Sequence, residues 1–453
     1  MTTVRALPIG GRTNRSGDAS RPRSVRRWFR GRWTEASLLV VAVLPMFLGV
    51  ALLAVTWERP LDDERFWPAY AVAAMLAVVH LALVVAGHRG DQVILPVVAC
   101  LAGIGIVLVT RLVPDAAMRQ ATWGGLGAIG AVVVACGPLE TRRLERFKYA
   151  VLVVGIGLVA ITLVAGRDLN GSGDRLWIGL FGYVFQPSEL LKVFLVVFLA
   201  GYLSEKRDVI LVAPTRLGVL PIPPLAYLVP VVAMWGGCLV LLVVQRDLGS
   251  ALLFYGTFLA MLYVAIGRVR YVLAALAVFS VAAVACYYLF AHVRLRVEVW
   301  LDPWVDPQGR SYQIVQAMYA MASGGLAGRG LGNGYPLYVP AAHTDYPFVA
   351  FAEEAGLAGS LALLLLYAVL VVAGLGIALR SRLPYRQLLA TGIVALIAFQ
   401  VVTIVGGNVR MMPLTGVTLP FVSYGGSSML ASWLMIGLLL RASHEEAVSP
   451  ARG

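Results

Sequence analysis

The chain has 453 residues, 59% of them hydrophobic and only 13% charged, against about 45–50% apolar and about 25% charged in a soluble domain. That excess of apolar residues places the chain in a bilayer and excludes an ordinary soluble enzyme. Its net charge of +13 would suit a nucleic-acid binder, but the arginines sort by membrane side, so no nucleic-acid partner is expected.

Residues 1–35 hold nine arginines and no apolar run, which predicts a disordered cytoplasmic tail with no cleavable signal. Apolar stretches then recur at 36–56, 66–87, 93–110, 121–138, 148–166, 187–203, 224–244, 248–266, 271–291, 352–379, 387–406 and 424–441. A span needs roughly 20 apolar residues to cross a hydrocarbon core. The expected fold is therefore all-α, a polytopic membrane bundle of about twelve transmembrane helices. With the amino terminus inside, 24 of 37 basic residues fall on the cytoplasmic side and 12 outside, which puts both termini in the cytoplasm. Cys100, Cys136, Cys238 and Cys286 all lie inside spans and read as packed hydrophobes, with no disulfide or metal framework.

Polar residues at membrane depth are costly, so they mark a functional site by default. In this topology five polar clusters share the outer face. Gln186-Pro187-Ser188-Glu189 opens the sixth span, with Lys192 one turn on and on the same helical face as Glu189. That pair reads either as part of a site or as a structural ion pair. Gln245-Arg246-Asp247-Leu248-Gly249 forms a tight outer turn in which Asp247 could also cap the next span. The longest outer loop, 292–346, carries Asp302, Asp306, Tyr312, Gln313, Gln316, a glycine-rich stretch from Ser323 to Gly334, and His343-Thr344-Asp345. The glycine-rich stretch has no Lys-Ser/Thr after it and no strand before it, so it reads as a close-packed turn and not a phosphate cradle. His343 has no partner at metal-ligand spacing. Glu353 and Glu354 are adjacent and cannot share one helix face, so one of them is expected at a loop or lipid interface. The fifth cluster runs from Leu419-Pro420-Phe421 through Ser423-Tyr424-Gly425-Gly426-Ser427-Ser428 into the last span. The inner half of the bundle reads as dry by comparison.

Taken in order, these five signatures resemble those of the shape, elongation, division and sporulation family of membrane proteins, over roughly residues 150–442. The resemblance implies a peptidoglycan glycosyltransferase that polymerises lipid II at the outer face of a bacterial cytoplasmic membrane, releasing undecaprenyl pyrophosphate. It implies a core at 139–442 that includes the extracytoplasmic loop 292–346, preceded by amino-terminal spans at 36–138 and followed by a cytoplasmic tail at 443–453. A family core of ten spans would leave two extra at the amino terminus, which resembles the actinobacterial elongation branch and favours elongation over division. Three features depart from the family pattern: Leu176 separates Arg175 from Trp177, Pro340-Ala341-Ala342 stands where a Pro-Glu is common, and the two amino-terminal spans are additional.

By this resemblance Asp306, just before Pro307-x-Gly309, is the catalytic acid, with Asp302 its rival. It would act as general base on the acceptor's C4 hydroxyl. The substrate-binding set would be Glu189, Lys192, Arg246, Asp247, Tyr312, Gln313, Gln316, His343, Thr344, Asp345, Glu353, Ser423, Gly425, Gly426 and Ser427. Lys192 is the first cation expected to meet the charge on the leaving pyrophosphate and Arg246 the second; a divalent cation, magnesium or manganese, would serve the same end. The implied partners are lipid II, the undecaprenyl-pyrophosphate-linked glycan and a class B penicillin-binding transpeptidase. A lipid II flippase is the rival reading, and it would need a polar path through the whole membrane.

Overall fold

The computed structural model describes residues 30–138, 140–167, 176–180, 183–212, 215–217, 220–222 and 225–449. Most of the expected tail (1–29) and Arg175 lie outside the described residues. The helices are α1 (Trp33–Thr56), α2 (Trp67–Val85), α3 (Ile94–Leu112), α4 (Pro114–Cys136), α5 (Thr141–Arg146), α6 (Lys148–Ala165), α7 (Pro187–Val212) and α8 (Leu225–Val244). They continue as α9 (Leu248–Ile266), α10 (Val269–Leu289), α11 (Ala291–Leu301), α12 (Tyr312–Gly324), α13 (Pro347–Arg380), α14 (Pro384–Asn408) and α15 (Gly426–Val448). Two short antiparallel hairpins, β1 (Ile178–Leu180) with β2 (Tyr183–Phe185) and β3 (Thr215–Leu217) with β4 (Leu220–Ile222), and four single-turn 3-10 helices complete the described elements.

Helices at all twelve expected positions satisfy the backbone without water, as a bilayer requires. Among the described residues nine helices are long and apolar enough to cross a membrane. The exceptions have local reasons: α4 and α15 carry charges near one end, and the described side chains of α8 begin only at Ala233. Proline opens α4, α7, α13 and α14, where its missing N–H is one that a helix start leaves unpaired anyway.

The centre of the bundle is α3, buried along almost its whole length against α1, α2, α4 and α13. Beside it α4 and α15 approach closely through small residues. A side chain at Gly127 would meet Cβ of Trp433 at 2.9 Å, and one at Gly437 would meet the Ala131 backbone at 2.8 Å. At the other extreme, α10 has no buried residue and touches the bundle along one side only, where Phe279 meets Tyr255 of α9 at 4.8 Å.

Four expectations change. First, α1 begins at Trp33, so Arg32 and Glu35 are buried and paired with each other instead of belonging to a tail. Second, α15 runs to Val448, held by Glu445 against Arg386 at 2.9 Å and Arg441 at 2.6 Å. The end that bears the carboxy terminus is therefore not dry: Arg386 and Glu445 are buried there as an ion pair, and His80 and His88 add buried polar groups. Third, the outer loop contains α11 and α12, because α12 turns Ile314, Val315, Ala317 and Ala320 inward at helical spacing against α13. Fourth, Glu353 and Glu354 are both buried. The glycine-rich loop wraps the start of α13 and Gly356 breaks that helix with φ 70°. N–H groups of Arg329 and Gly330 donate to the carbonyls of Glu353 and Glu354 at 3.0 Å each, and a side chain at Gly328 would meet the Glu354 carbonyl at 2.2 Å. The loop is the close-packed turn that its glycines suggested.

Candidate active site

The end bearing α11 and α12, the outer one by the arginine count, holds a cavity of about 790 Å³. Its walls come from four segments far apart in the chain: Glu189 at the start of α7, Arg246 and Asp247 before α9, His343-Thr344-Asp345 before α13, and Gly425-Gly426-Ser427 at the start of α15. Nine of the expected residues thus meet in one place.

Side-chain bonds hold these segments in register. The Gln186 N–H donates to Oγ of Ser427 at 2.7 Å, tying α7 to α15. Asp247 accepts from the Ser250 N–H at 3.1 Å, capping α9, and from Oγ of Ser188 at 3.0 Å, tying α9 to α7. Both readings of Asp247 therefore hold, as a cap and as a cavity wall. Ser423 is buried behind the wall: its Oγ donates to the Thr344 carbonyl at 2.9 Å and accepts from the Leu419 N–H at 2.8 Å. Gln120 on α4 fixes the same turn, donating to the Ser423 carbonyl at 3.0 Å and accepting from the Gly425 N–H at 3.2 Å. At Gly426 a side chain would meet Nε1 of Trp123 at 2.3 Å, so this approach requires glycine.

Lys192 lies 2.6 Å from Glu189, both buried, but only Glu189 reaches the cavity. Its charge is spent on that carboxylate. The cations on the wall are Arg119, Arg246 and Arg296, accompanied by Trp123, Trp177 and Tyr183. Arg119 and Trp123 were missed in the sequence; their one signal is spacing, four apart on a single face of α4. Arg296 sits on α11, in a loop whose helix was not foreseen.

Asp306 lies outside this cavity. It is 42% exposed, 3.6 Å from Nε of Arg310. The Arg310 backbone N–H, then the Gly309 N–H and the Arg310 guanidinium, hold its carboxyl below the usual range, so it is ionised. Arg310 and Gln313 line a neighbouring recess of about 200 Å³ that shares Arg296, Asp345 and Gly416 with the main cavity. Gln313 Nε2 donates to the Pro340 carbonyl at 2.8 Å. Tyr312 and Gln316 sit half-buried on α12 and do not reach the main cavity. Asp345 stands where the two spaces meet. Burial raises its pKa, against the lowering effect of Thr344 and Arg296, and burial also lowers the pKa of His343. Glu353 lies apart under the glycine-rich loop, accepting from the Tyr335 N–H at 3.0 Å.

No group of three or more acidic, histidine or cysteine side chains comes together among the described residues. Glu189 and Asp247 are already committed to Lys192 and to the α9 cap, so these residues do not build a cage for a resident divalent ion.

A polytopic helical bundle with a charged, aromatic-lined cavity at one membrane face is the class of protein that fold and site define. The chain belongs to the cell cycle protein family of FtsW, RodA and SpoVE, whose model matches residues 94–448. That match takes in ten of the twelve long helices and leaves α1 and α2 before it. The peptidoglycan glycosyltransferase RodA of Mycobacterium tuberculosis is 36% identical over 423 residues, covering 90% of each chain. Among solved structures, a chain of a peptidoglycan synthase complex, described as coordinating polymerization and crosslinking, superposes with a TM-score of 0.67. It is 29% identical and covers 80% of this chain and 99% of its own. The rod shape determining protein RodA of Thermus thermophilus gives a TM-score of 0.58 at 28% identity, covering 80% and 98%.

Proposed function

We propose that the chain is a peptidoglycan glycosyltransferase of the RodA type, polymerising lipid II at the outer face of the cytoplasmic membrane with both termini inside. The observation that carries this is the convergence of four distant polar segments, three arginines and the rings of Trp123, Trp177, Tyr183 and Tyr424 on one cavity at the headgroup end of the bundle. The likeness to relatives named as glycosyltransferases over 90% of the chain supports it. The two helices ahead of the matched region favour elongation over division, in keeping with a mycobacterial RodA alignment that covers 90% of the chain.

In the proposed reaction the acceptor's C4 hydroxyl attacks C1 of the donor sugar, the C1–O bond to pyrophosphate breaks, and the hydroxyl proton passes to a carboxylate. Asp306 is that base: it is ionised, and its loop borders the recess that opens into the cavity. Substrate must draw the loop over the gap, since catalytic contacts often tighten only in the complex. Arg119, Arg246 and Arg296 face the space where pyrophosphate charge grows and stabilise it there. The aromatic rings offer apolar faces to the sugars. The crosslinking partner is a class B penicillin-binding transpeptidase, in keeping with the assembly of the related synthase complex.

The test is a glycan ladder assay with lipid II in vesicles, with and without the transpeptidase, on wild type, Asp306→Asn and Asp345→Asn. Ladders lost in folded Asp306→Asn and kept in Asp345→Asn support the assignment. The reverse pattern moves the base to Asp345, and no ladders from wild type in either condition contradict the activity.

A further inference from the structure

A second cavity of about 680 Å³ opens at the inner end of the bundle, and the proposed chemistry does not use it. It lies between Thr34 on α1, the loop Arg89–Gln92, Arg380 at the end of α13 and Arg382 just after it, and Ser443 and Glu446 on α15. Its walls are fixed. The Asp91 N–H donates to Oγ of Ser443 at 2.8 Å and the Arg89 N–H to Nδ1 of His444 at 2.9 Å.

Its acids are already engaged. Oδ1 of Asp91 caps α3 through the Val93 N–H at 2.8 Å, leaving Oδ2 3.6 Å from Arg380. Glu446 is shared between Arg386 and Arg382, both at 3.3 Å, and Glu445 lies between Arg386 and Arg441. Five arginines thus stand against three carboxylates, and Arg89 makes no side-chain hydrogen bond or ion pair among the described residues. The rim is lipid-facing: α13 exposes Val372, Leu375 and Leu379, and α1 exposes Leu38 and Val41. Trp33, exposed beside Thr34, marks headgroup depth.

We infer that this pocket binds the phosphate of an anionic lipid headgroup from the inner leaflet, through Arg89, Arg380 and Arg382. Apolar staves leading into a basic pocket at headgroup level are what such a lipid requires. The leaflet assignment rests on the orientation proposed above.

The test uses the full chain reconstituted in phosphatidylcholine with phosphatidylglycerol, with retained lipid read by native mass spectrometry. Wild type should retain phosphatidylglycerol over phosphatidylcholine. Each charge removed in Arg89→Gln, Arg380→Gln and Arg382→Gln should lower retention about fivefold, the equivalent of roughly 1 kcal/mol per arginine near an anionic surface. Should the triple variant fail to fold, Arg89→Gln alone carries the test, and the lysine triple should restore most of the retention. Equal retention by wild type and folded glutamine variants overturns the site, as does an equal loss in Arg59→Gln/Arg65→Gln at the opposite end. Displacement of phosphatidylglycerol by millimolar inorganic phosphate overturns the lipid in favour of a free phosphate. A carboxy-terminal epitope reached by protease from outside intact spheroplasts overturns the inner-leaflet placement, separately from whether phosphatidylglycerol is retained.

Discussion

At the inner end of the bundle, buried Arg386 lies between Glu445 and Glu446, Arg441 reaches Glu445, and Arg32 is enclosed by Glu35 and His88. At the opposite end, Arg119 and Asp345 line the cavity. Both ends take charge out of water, but the inner groups spend it on one another and hold helices together. At the cavity Lys192 and Glu189 are likewise matched to each other, but Arg119 and Asp345 face the open space. Location in the bundle does not separate architecture from chemistry here; whether a charge is already matched does.

The sharpest break in that comparison should come from Asp306→Asn, an exposed side chain with little packing to lose. Polymerisation should fall about 10²- to 10⁴-fold with an unchanged melting curve, read by ladder assay and thermal unfolding. Arg386→Ala should do the opposite, removing the buried cation that Glu445 and Glu446 share and leaving them only Arg441 and Arg382. A loss of about 3–5 kcal/mol of stability is expected in a denaturation series, with the activity of the folded fraction retained.

Arg119→Gln should lower kcat about 10- to 100-fold with little change in melting, since a hydrogen bond to a charged group is worth about 1.5–3 kcal/mol. Asp247→Ala falls between the two kinds, because it removes a helix cap worth about 1 kcal/mol as well as a cavity wall. Stability and rate should both drop, and Asp247→Asn should recover most of the stability.

The smallest effect is a pH dependence at the inner end. Burial, then Arg32 and His444, push the pKa of His88 from 6.5 down to about 3. The unfolded chain therefore binds the proton first, so His88's contribution is complete above pH 6.5 and is lost as pH falls from there toward 3. Between pH 7.5 and 6 the loss is about 0.8 kcal/mol, and His88→Gln should flatten that slope in a pH series of melting curves.

Most of the bundle was legible because a bilayer imposes one rule on every span, and the apolar runs mark it. The cavity was half legible: Glu189, Asp247, His343 and Ser427 stand out because polar residues at span ends are costly unless used. Arg119 was not, since a single arginine at a helix end looks like any interfacial charge until the opposite wall is known. Asp306 falls beside the cavity because the folding of α11 and α12 sets its position, which residue order cannot show. Glu353 and Glu354 were misjudged by assuming an unbroken helix, where Gly356 breaks it and a loop covers both. The polar contacts at the other end join residues such as Thr141 and Glu445, hydrogen-bonded more than three hundred positions apart.

A polymerase uses lipid II in place, whereas a flippase passes it through the membrane. Fluorescent lipid II presented on one leaflet of vesicles, with the protein's orientation fixed, separates the two. The account predicts glycan ladders from lipid II on the cavity side and no transfer of label to the opposite leaflet. Transfer of label without ladders, with the transpeptidase present, would contradict it.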